Sequence, residues 1–334
     1  QTPAYEILSG LVGSEMCIRD SYRKISMKHI RVKNTKTVPL PIVDISGLYG
    51  GSMMTRMAIG NDIVDACEEY GFFYIQGYNI NQTEIDNWFK NAQRFFERDQ
   101  GFKEQYSIYN SDRFQGYEPP KSDESKEAYV LGPERSADDE LVRQQVKYHG
   151  ANVWPDIDGW RDVSMKQMDE MLKLARLLNR ALALGLGLKE SYFDKLSRDP
   201  MYAMRYLHYK PSNITGINTH TDWGMLSLLI QDAQAGLQIQ DQDKNWLTVA
   251  PIKNTMVVNI GEMVEVFTDG RLKATKHKVV NATSKDRYSM AFFLDMDHDA
   301  VLAPVHQNGK KRYEPITVSD FIENMHQRDY GGLK

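Results

Sequence analysis

From Met201 to about residue 303 the chain is a succession of short β-rich runs: "AMRYLHYK", "GMLSLLIQD", "GLQIQD", "WLTVAP", "TMVVNIG", "LKATKHKVV" and "RYSMAFFLD". Each is bounded by Gly, Asn, Asp or Pro, and regular short strands with turn signals indicate a sandwich or jelly roll. The upstream half must then buttress that core. "VPLPIVDIS" reads as a short strand with prolines at its edge, "MAIGNDIVDACEEYG" as a helix stopping at Gly71, and "FFYIQGY" as a buried strand. "QTEIDNWFKNAQRFFERD" is amphipathic, with Ile85, Trp88, Phe89, Phe95 and Phe96 on one side. The longest helix is expected in "DVSMKQMDEMLKLARLLNRALALGLGL", where Met168, Leu172, Ala175, Leu178 and Leu182 form an apolar stripe for a sheet. Its methionines, at that spacing, pack in the core. A last helix, "TVSDFIENMHQRD", starts from a Ser or Asp cap. Residues 110–160 are polar, poorly periodic and punctuated by Pro and Gly, so they are expected to form a long lid or substrate-binding loop.

The 334 residues carry a formal net charge of −4 with both signs interspersed, which lacks the basic footprint of a nucleic-acid binder. "MKHIRVKNTK" is short and without aromatics, and reads as a solvated tail. No apolar run reaches transmembrane length. Two cysteines, Cys17 and Cys67, are too few for a disulfide framework and suit a reducing, cytoplasmic setting. Residues 1–26 resemble translated cDNA-adaptor sequence and are expected to be a non-native leader ahead of Met27. Residues 27–334 are expected to be a single domain: helical support and substrate loops to residue 200, the β core at 201–303, and a C-terminal helical region at 304–334. A monomer is expected.

"NTHTDWGMLSLLIQD" sets His220 and Asp222 two residues apart, so on a strand both would project to one face. Such groups are costly to bury without a partner. "TKHKVVN" offers His277 in a similar apolar setting. Two histidines and a carboxylate make the facial arrangement that leaves coordination positions open, characteristic of non-haem Fe(II) oxygenases. An isolated His-x-Asp pair is a weak signal by itself, often a hydrogen-bonded turn. His29, His149, His298, His306 and His326 lack this context. Ten residues beyond His277, "RYS" places Arg287 and Ser289 on one strand face. A buried guanidinium demands an anion, and beside a metal this pair reads as a receptor for the far carboxylate of a small dicarboxylic acid. Tyr209 in "YLHYKP" adds a hydroxyl.

With these motifs the chain resembles the isopenicillin-N-synthase-like family of Fe(II)- and 2-oxoglutarate-dependent oxygenases. The resemblance runs from Val38 to the C-terminal helix, through "VPLPIVDISGL", "ACEEYGFFYIQGY", "HTDWGMLSLLIQDAQAGLQI", "VVNIGEMVEVFTDGRLKATKHKVVN" and "RYSMAFFLD". It implies a mainly β fold with flanking α-helices around a double-stranded β-helix (jelly roll). It implies that His220, Asp222 and His277 bind iron and that Arg287, Ser289 and Tyr209 hold 2-oxoglutarate. It further implies dioxygenase chemistry, in which O2 and 2-oxoglutarate are consumed, succinate and CO2 released, and an unactivated C–H bond hydroxylated, desaturated or closed into a ring. Asn259 and Glu262 in "NIGEM" would orient ligands, although Asn259 serves a turn equally well. One departure is Leu207, where family members often carry Asn.

Three rivals stay open at this stage. An oxidase without 2-oxoglutarate would use the same anchor for its substrate's carboxylate, but the chain ends "DYGGLK" without the glutamine expected there. A non-enzymatic carboxylate sensor would not need all three metal ligands. A zinc hydrolase would have no use for the anchor. The substrate is expected to be a small, possibly carboxylated molecule of specialised metabolism. Its pocket is assigned to Tyr117, Tyr129, Leu131, Tyr206, His208 and Phe293, each of which could equally be core.

Overall fold

The computed structural model describes residues 36–111, 113–212, 214–280, 284–305 and 311–330. The expected start at Met27 lies outside them. Strand β1 (Ile42–Asp44) is followed by helix α1 (Met53–Glu69) and then by β2 (Phe72–Gln76), which pairs with β1 in parallel. Helix α1 begins where the Ser52 side chain accepts from Thr55 N, and the chain turns out of it at Gly71, whose φ of +69° favours glycine. Helix α2 (Gln82–Phe96) is capped in the same way by Asn81. It buries Ile85, Trp88, Phe95 and Phe96, as its periodicity predicts.

The stretch expected to be a loop is only partly one. After the short helix α3 (Gln100–Glu104) come strands β3 (Gly116–Glu118) and β4 (Lys126–Leu131), and then the single turn α4 (Glu140–Arg143). Both strands are fully buried and extend the main sheet. Their hydrophobic pattern is hidden because Glu118, Lys126 and Glu127 are buried as ion pairs, so the run reads as polar. Helix α5 (Trp160–Gly185) follows, with Met168, Met171, Ala175, Leu178 and Leu182 in the core.

The β half comprises β5 (Tyr202–Tyr209), β6 (Thr215–His220), β7 (Leu226–Gln231), β8 (Leu237–Gln240), β9 (Trp246–Thr248), β10 (Met256–Ile260), β11 (His277–Val280) and β12 (Arg287–Leu294). A short helix α6 (Glu262–Phe267) interrupts it after β10, and α7 (Val318–Tyr330) closes the described chain. Helix α7 is capped at Thr317, whose hydroxyl accepts from Asp320 N, rather than at the expected Ser or Asp. An eight-stranded sheet runs β1-β2-β10-β7-β12-β5-β4-β3, and a four-stranded sheet runs β6-β11-β8-β9. Two clusters bridge the sheets: Phe72, Tyr74 and Val257 with Leu237 and Ile239, and Leu207, Tyr209 and Ala291 with Val279. The other face of the large sheet packs on the helices through Phe73, Ile75, Leu228, Val258 and Phe292. That is the β sandwich with helical support expected from the strand pattern, and alternation within each strand decides which side chains reach the space between the sheets.

Candidate metal centre

His220 is the last residue of β6 and His277 the first of β11, and the two are directly opposite in an antiparallel pair. Their ring centroids lie 4.2 Å apart. Asp222 is not on a strand, as the two-residue spacing suggested. It sits in the connection to β7, where its carbonyl accepts from Glu262 N and so ties the turn to the start of α6. Asp222 Oδ1 is 3.7 Å from His220 Nε2 and 3.5 Å from His277 Nε2. Among the described residues this is the one group of three or more His, Cys, Asp or Glu donors able to hold a metal ion.

The donor set fits a metal. Bonds of about 2.1 Å put neighbouring donors on one ion about 3 Å apart, close to the observed spacing. Each imidazole is oriented by its other nitrogen: His220 Nδ1 lies 2.8 Å from Asn218 O and His277 Nδ1 3.1 Å from Thr275 O. A proton held there leaves each Nε2 lone pair for the ion. Ser227 Oγ and Asn259 Nδ2 donate to Asp222 Oδ2, at 2.6 and 2.8 Å, leaving Oδ1 to the shared point. Asn259 lies on β10, so it orients the ligand and is not in a turn. The Glu262 carboxylate does not reach Asp222; it accepts from the Thr221 hydroxyl at 2.6 Å, while the Glu262 backbone N–H holds the Asp222 carbonyl. Burial, reinforced by His277, pushes His220 down to about 4, so its imidazole is neutral at pH 7. Burial raises the Asp222 carboxyl, but His277, His220, Asn259 and Ser227 outweigh it and hold the group below the usual carboxylate range.

The guanidinium expected beside the metal is fully buried, with Arg287 0% exposed. Its Cζ stands 4.7 Å over the Tyr209 ring. It donates to Gln231 Oε1 at 3.2 Å, to Gln234 O at 3.2 Å and, at 3.5 Å, to Ser289 Oγ. These partners are all neutral. Asp232 feels the Arg287 charge, but its oxygens accept from Gln234 N and Tyr288 N. A buried cation without a hydrogen-bonded carboxylate is costly, so the arrangement suits an incoming anion. Gly236 makes the room: a Cβ there would lie 3.1 Å from Arg287 Nε. Leu207 lies opposite Ser289 in the register, packed with Ala128 and Ala291.

The pocket expected from sequence needs correction. Phe293 lies on the inner face with Arg287 and Ser289. The other five residues do not. Tyr206 points to the helices and donates to Gln167 Oε1 of α5 at 2.8 Å. His208 lies between Glu127 and Asp286 on the same outer face. Tyr129 opposes Tyr206 in the register and donates to Val153 O, while Tyr117 opposes Tyr129 and donates to Glu127. Leu131 is fully buried in the helix-side core. Tyr206 and His208 have the opposite parity to Tyr209 on one strand, so period two alone excludes them from its face. The same parity puts Arg205, which sequence reading missed, beside Leu207 and Tyr209. Gln231 and Ser227 were missed as well. Of the other histidines, His29 and His306 lie outside the described residues, His149 packs edge-on against His298, and His326 stacks on Tyr148.

A model described as the 2OG-Fe(II) oxygenase superfamily matches residues 198–296, and one described as the N-terminal region of non-haem dioxygenases in morphine synthesis matches 40–157. The 2-oxoglutarate-Fe(II) type oxidoreductase hxnY of Emericella nidulans is 31% identical over 315 residues, covering 87% of this chain and 90% of that protein. The 2-oxoglutarate-dependent dioxygenase citB of Monascus ruber is 31% identical over 304 residues, covering 84% and 92%. Among solved structures, a full-length Neurospora crassa protein in complex with alpha-KG superposes with a TM-score of 0.80 at 23% identity, covering 90% of this chain and 98% of that one, a likeness of fold. The chain belongs to the 2OG-Fe(II) oxygenase superfamily, and Fe(II), 2-oxoglutarate and O2 are what such an enzyme uses.

Proposed function

We propose that His220, Asp222 and His277 hold the ferrous ion, that Arg287, Ser289 and Tyr209 hold the far carboxylate of 2-oxoglutarate, and that a C–H bond of a small molecule is oxidised beside them. The single observation that carries this is a fully buried guanidinium with only neutral described partners, on the sheet face that also supplies the Asp222 hydrogen bonds. When bound, iron with 2-oxoglutarate and O2 supplies the oxidising power, releasing succinate and CO2. The chain's own part is placement. Ser227 and Asn259 fix one carboxylate oxygen so that the other faces the ion. Gln231 and Gln234 hold the guanidinium plane so that its donors meet the co-substrate without rearrangement. The apolar wall of Leu207, Val279 and Ala291 keeps water from the anchor.

Hydroxylation, desaturation and ring closure all use this arrangement, and a specialised-metabolic substrate fits it. The reading places the whole site in one domain spanning 27–334, acting as a cytoplasmic monomer. Among the described residues no helix is long and apolar enough to cross a membrane. Anaerobic addition of Fe(II) and 2-oxoglutarate to the full-length chain tests the site assignment. A metal-to-ligand charge-transfer band is expected, and succinate formation in air should require 2-oxoglutarate. Turnover independent of 2-oxoglutarate would overturn the anchor assignment.

A further inference from the structure

The inner face of the large sheet is laid out in rows that run across its strands. Asn259 and Ser227 share one row and hold the metal-binding carboxylate from within. Gln231, Ser289 and Leu207 share another, which holds the Arg287 anchor. Asp222 itself lies off the strands, so its connection to β7 is also fixed from outside the sheet. The Thr221 hydroxyl donates to Glu262 Oε1 at 2.6 Å, and the carbonyls of Asp222 and Trp223 accept from Glu262 N and Met263 N, both at 2.9 Å. Helix α7 meets the Glu262 carboxylate with a fork: Arg328 Nη1 donates to Oε2 at 2.8 Å and Nη2 to Oε1 at 2.9 Å. The next residue, Asp329, accepts from Trp223 Nε1 at 2.8 Å. Consecutive residues of α7 thus grip both flanks of Asp222, Thr221 through Glu262 and Trp223 directly.

Three residues back, His326 joins this grip to a different part of the chain. Its ring lies edge-on to Trp223, with centroids 4.9 Å apart, and stacks on Tyr148 at 5.2 Å and on Phe114 at 5.5 Å. Lys147 Nζ, 2.7 Å from Glu323 Oε2, makes a further contact between that loop and α7. The two loop segments are tied together where Arg113 Nε donates to His149 O at 2.5 Å. Only glycine leaves room for that arginine at 150, since a Cβ there would lie 1.8 Å from Arg113 Nε. Phe114 and Tyr148 have φ of +54° and +67°, a left-handed backbone that bulky side chains rarely adopt. Such strain persists where the surroundings over-determine it, and it gathers at ligand clamps and functional sites. Here both strained residues deliver their rings to one imidazole.

Resting on the site reading above, we infer that His326, Arg328 and Asp329 are positioning residues for the iron: α7 clasps the turn of Asp222 to the segments 113–114 and 148–150, so that the placing of the metal carboxylate and the seating of those loops are set together. A metal ligand has to be held to within about 0.5 Å, and a carboxylate beyond the end of a strand is held only as well as the contacts around its turn.

The test uses the full-length protein without O2. It reads Fe(II) affinity from the charge-transfer band at saturating 2-oxoglutarate, and site geometry from the visible ligand-field spectrum of the Co(II)-loaded protein. Arg328→Gln should weaken Fe(II) binding about fivefold, less than the loss of a group bonded to the ligand itself, and should alter the Co(II) spectrum. Arg328→Lys, which keeps the charge without the fork, should recover part of the affinity. Tyr148→Asn removes a ring far along the chain from the metal ligands while suiting the left-handed backbone, and should weaken Fe(II) binding about threefold. His326→Ala should do the same, and the double variant should be no worse than His326→Ala alone, because both break one stack. Far-UV dichroism establishes folding, and Tyr148→Asn carries the test if Arg328→Gln does not fold. Wild-type affinity and Co(II) spectra in Arg328→Gln and Tyr148→Asn overturn the inference, as do losses in the double variant that simply add. Absence of the band in the wild type would instead strike the site reading itself.

Discussion

Strand β5 turns Arg205, Leu207 and Tyr209 to the space between the sheets and Tyr206 and His208 to the helices, and both faces bury charge. On the helix face the buried charges Lys103, Glu127 and His208 are paired within the chain. Lys103 Nζ and Tyr117 Oη both donate to Glu127 Oε2, at 2.6 and 2.7 Å. His208 bridges Glu127 Oε1 at 2.7 Å and Asp286 Oδ1 at 3.0 Å, and stacks on Tyr288. On the inner face Lys126 pairs with Glu118 at 2.7 Å, but two imidazoles and one carboxylate oxygen converge on a point, and among the described residues the buried Arg287 guanidinium hydrogen-bonds only to neutral groups. Charge that is fully paired holds β3, β4 and α3 together, whereas charge left convergent is there for something else. Burial by itself does not separate the two cases, since Lys103, Glu127 and Arg287 are all 2% exposed or less.

Two substitutions break this contrast most directly. Asp222→Ala should abolish the charge-transfer band and 2-oxoglutarate-dependent succinate formation, while far-UV dichroism and the chemical-denaturation midpoint stay near wild type. Glu127→Gln should do the reverse. It strands Lys103 in the interior, at a cost of about 3–5 kcal/mol in denaturant unfolding, with Fe(II) and 2-oxoglutarate affinities unchanged. A Glu127→Gln protein that folds normally but no longer binds iron would show that the outer network serves the site.

The outer network also has a pH signature. Burial raises the Glu127 carboxyl, but hydrogen bonds from His208, Lys103 and Tyr117 outweigh it and bring the group down to about 2. Its folded pKa lies below its unfolded one, so its contribution is fully present above about pH 4.5 and is lost as pH falls toward 2. Wild-type stability should decline across that window, and the decline should be shallower in Glu127→Gln, as denaturant titrations at stepped pH will measure.

Smaller changes sharpen the inner face. Arg287→Gln should raise the KM for 2-oxoglutarate about 100-fold, the loss of a charge-assisted pair, with Fe(II) affinity nearly unchanged. Asn259→Ala, which releases one hydrogen bond on Asp222 Oδ2, should weaken Fe(II) binding about 10-fold and leave the KM for 2-oxoglutarate alone. Equal loss of both affinities in either variant would mean that the two rows act as one unit.

Much of the inner face was legible because its chemistry repeats a period. Arg287 and Ser289 on one strand face and the short strands themselves follow from alternation and turn residues, while His277 was reached through its apolar setting and the family resemblance, its place opposite His220 being a cross-strand pairing. Asp222 came right by spacing although the strand ends before it. The outer face was not legible, because pairing across strands is not written in one strand. Tyr117, Tyr129 and Leu131 look like pocket residues in an irregular polar run, and only the β3–β4–β5 register puts them under the helices. Tyr206 and His208 were avoidable errors, given the parity of Tyr209. Gln231 carries no motif, and its contact with Arg287 depends on β7 lying beside β12.

Leu207 offers the finest test, because it departs from the family's frequent asparagine while lying on the row of the anchor. It is nearly buried, beside Ser289 in the register and packed against Ala128, Tyr209 and Ala291. An amide there would have few partners in the chain and would be desolvated, costing about 1–3 kcal/mol without co-substrate. With 2-oxoglutarate bound, the same amide could donate to it, a net gain of about 1 kcal/mol or a few-fold in affinity. Leu207→Asn should therefore melt earlier than the wild type alone, regain part of the difference when Fe(II) and 2-oxoglutarate are added anaerobically, and show a KM lowered about threefold. A melting deficit unchanged by co-substrate, with an unchanged KM, would place Leu207 beyond reach of 2-oxoglutarate. The apolar side chain would then be wall alone.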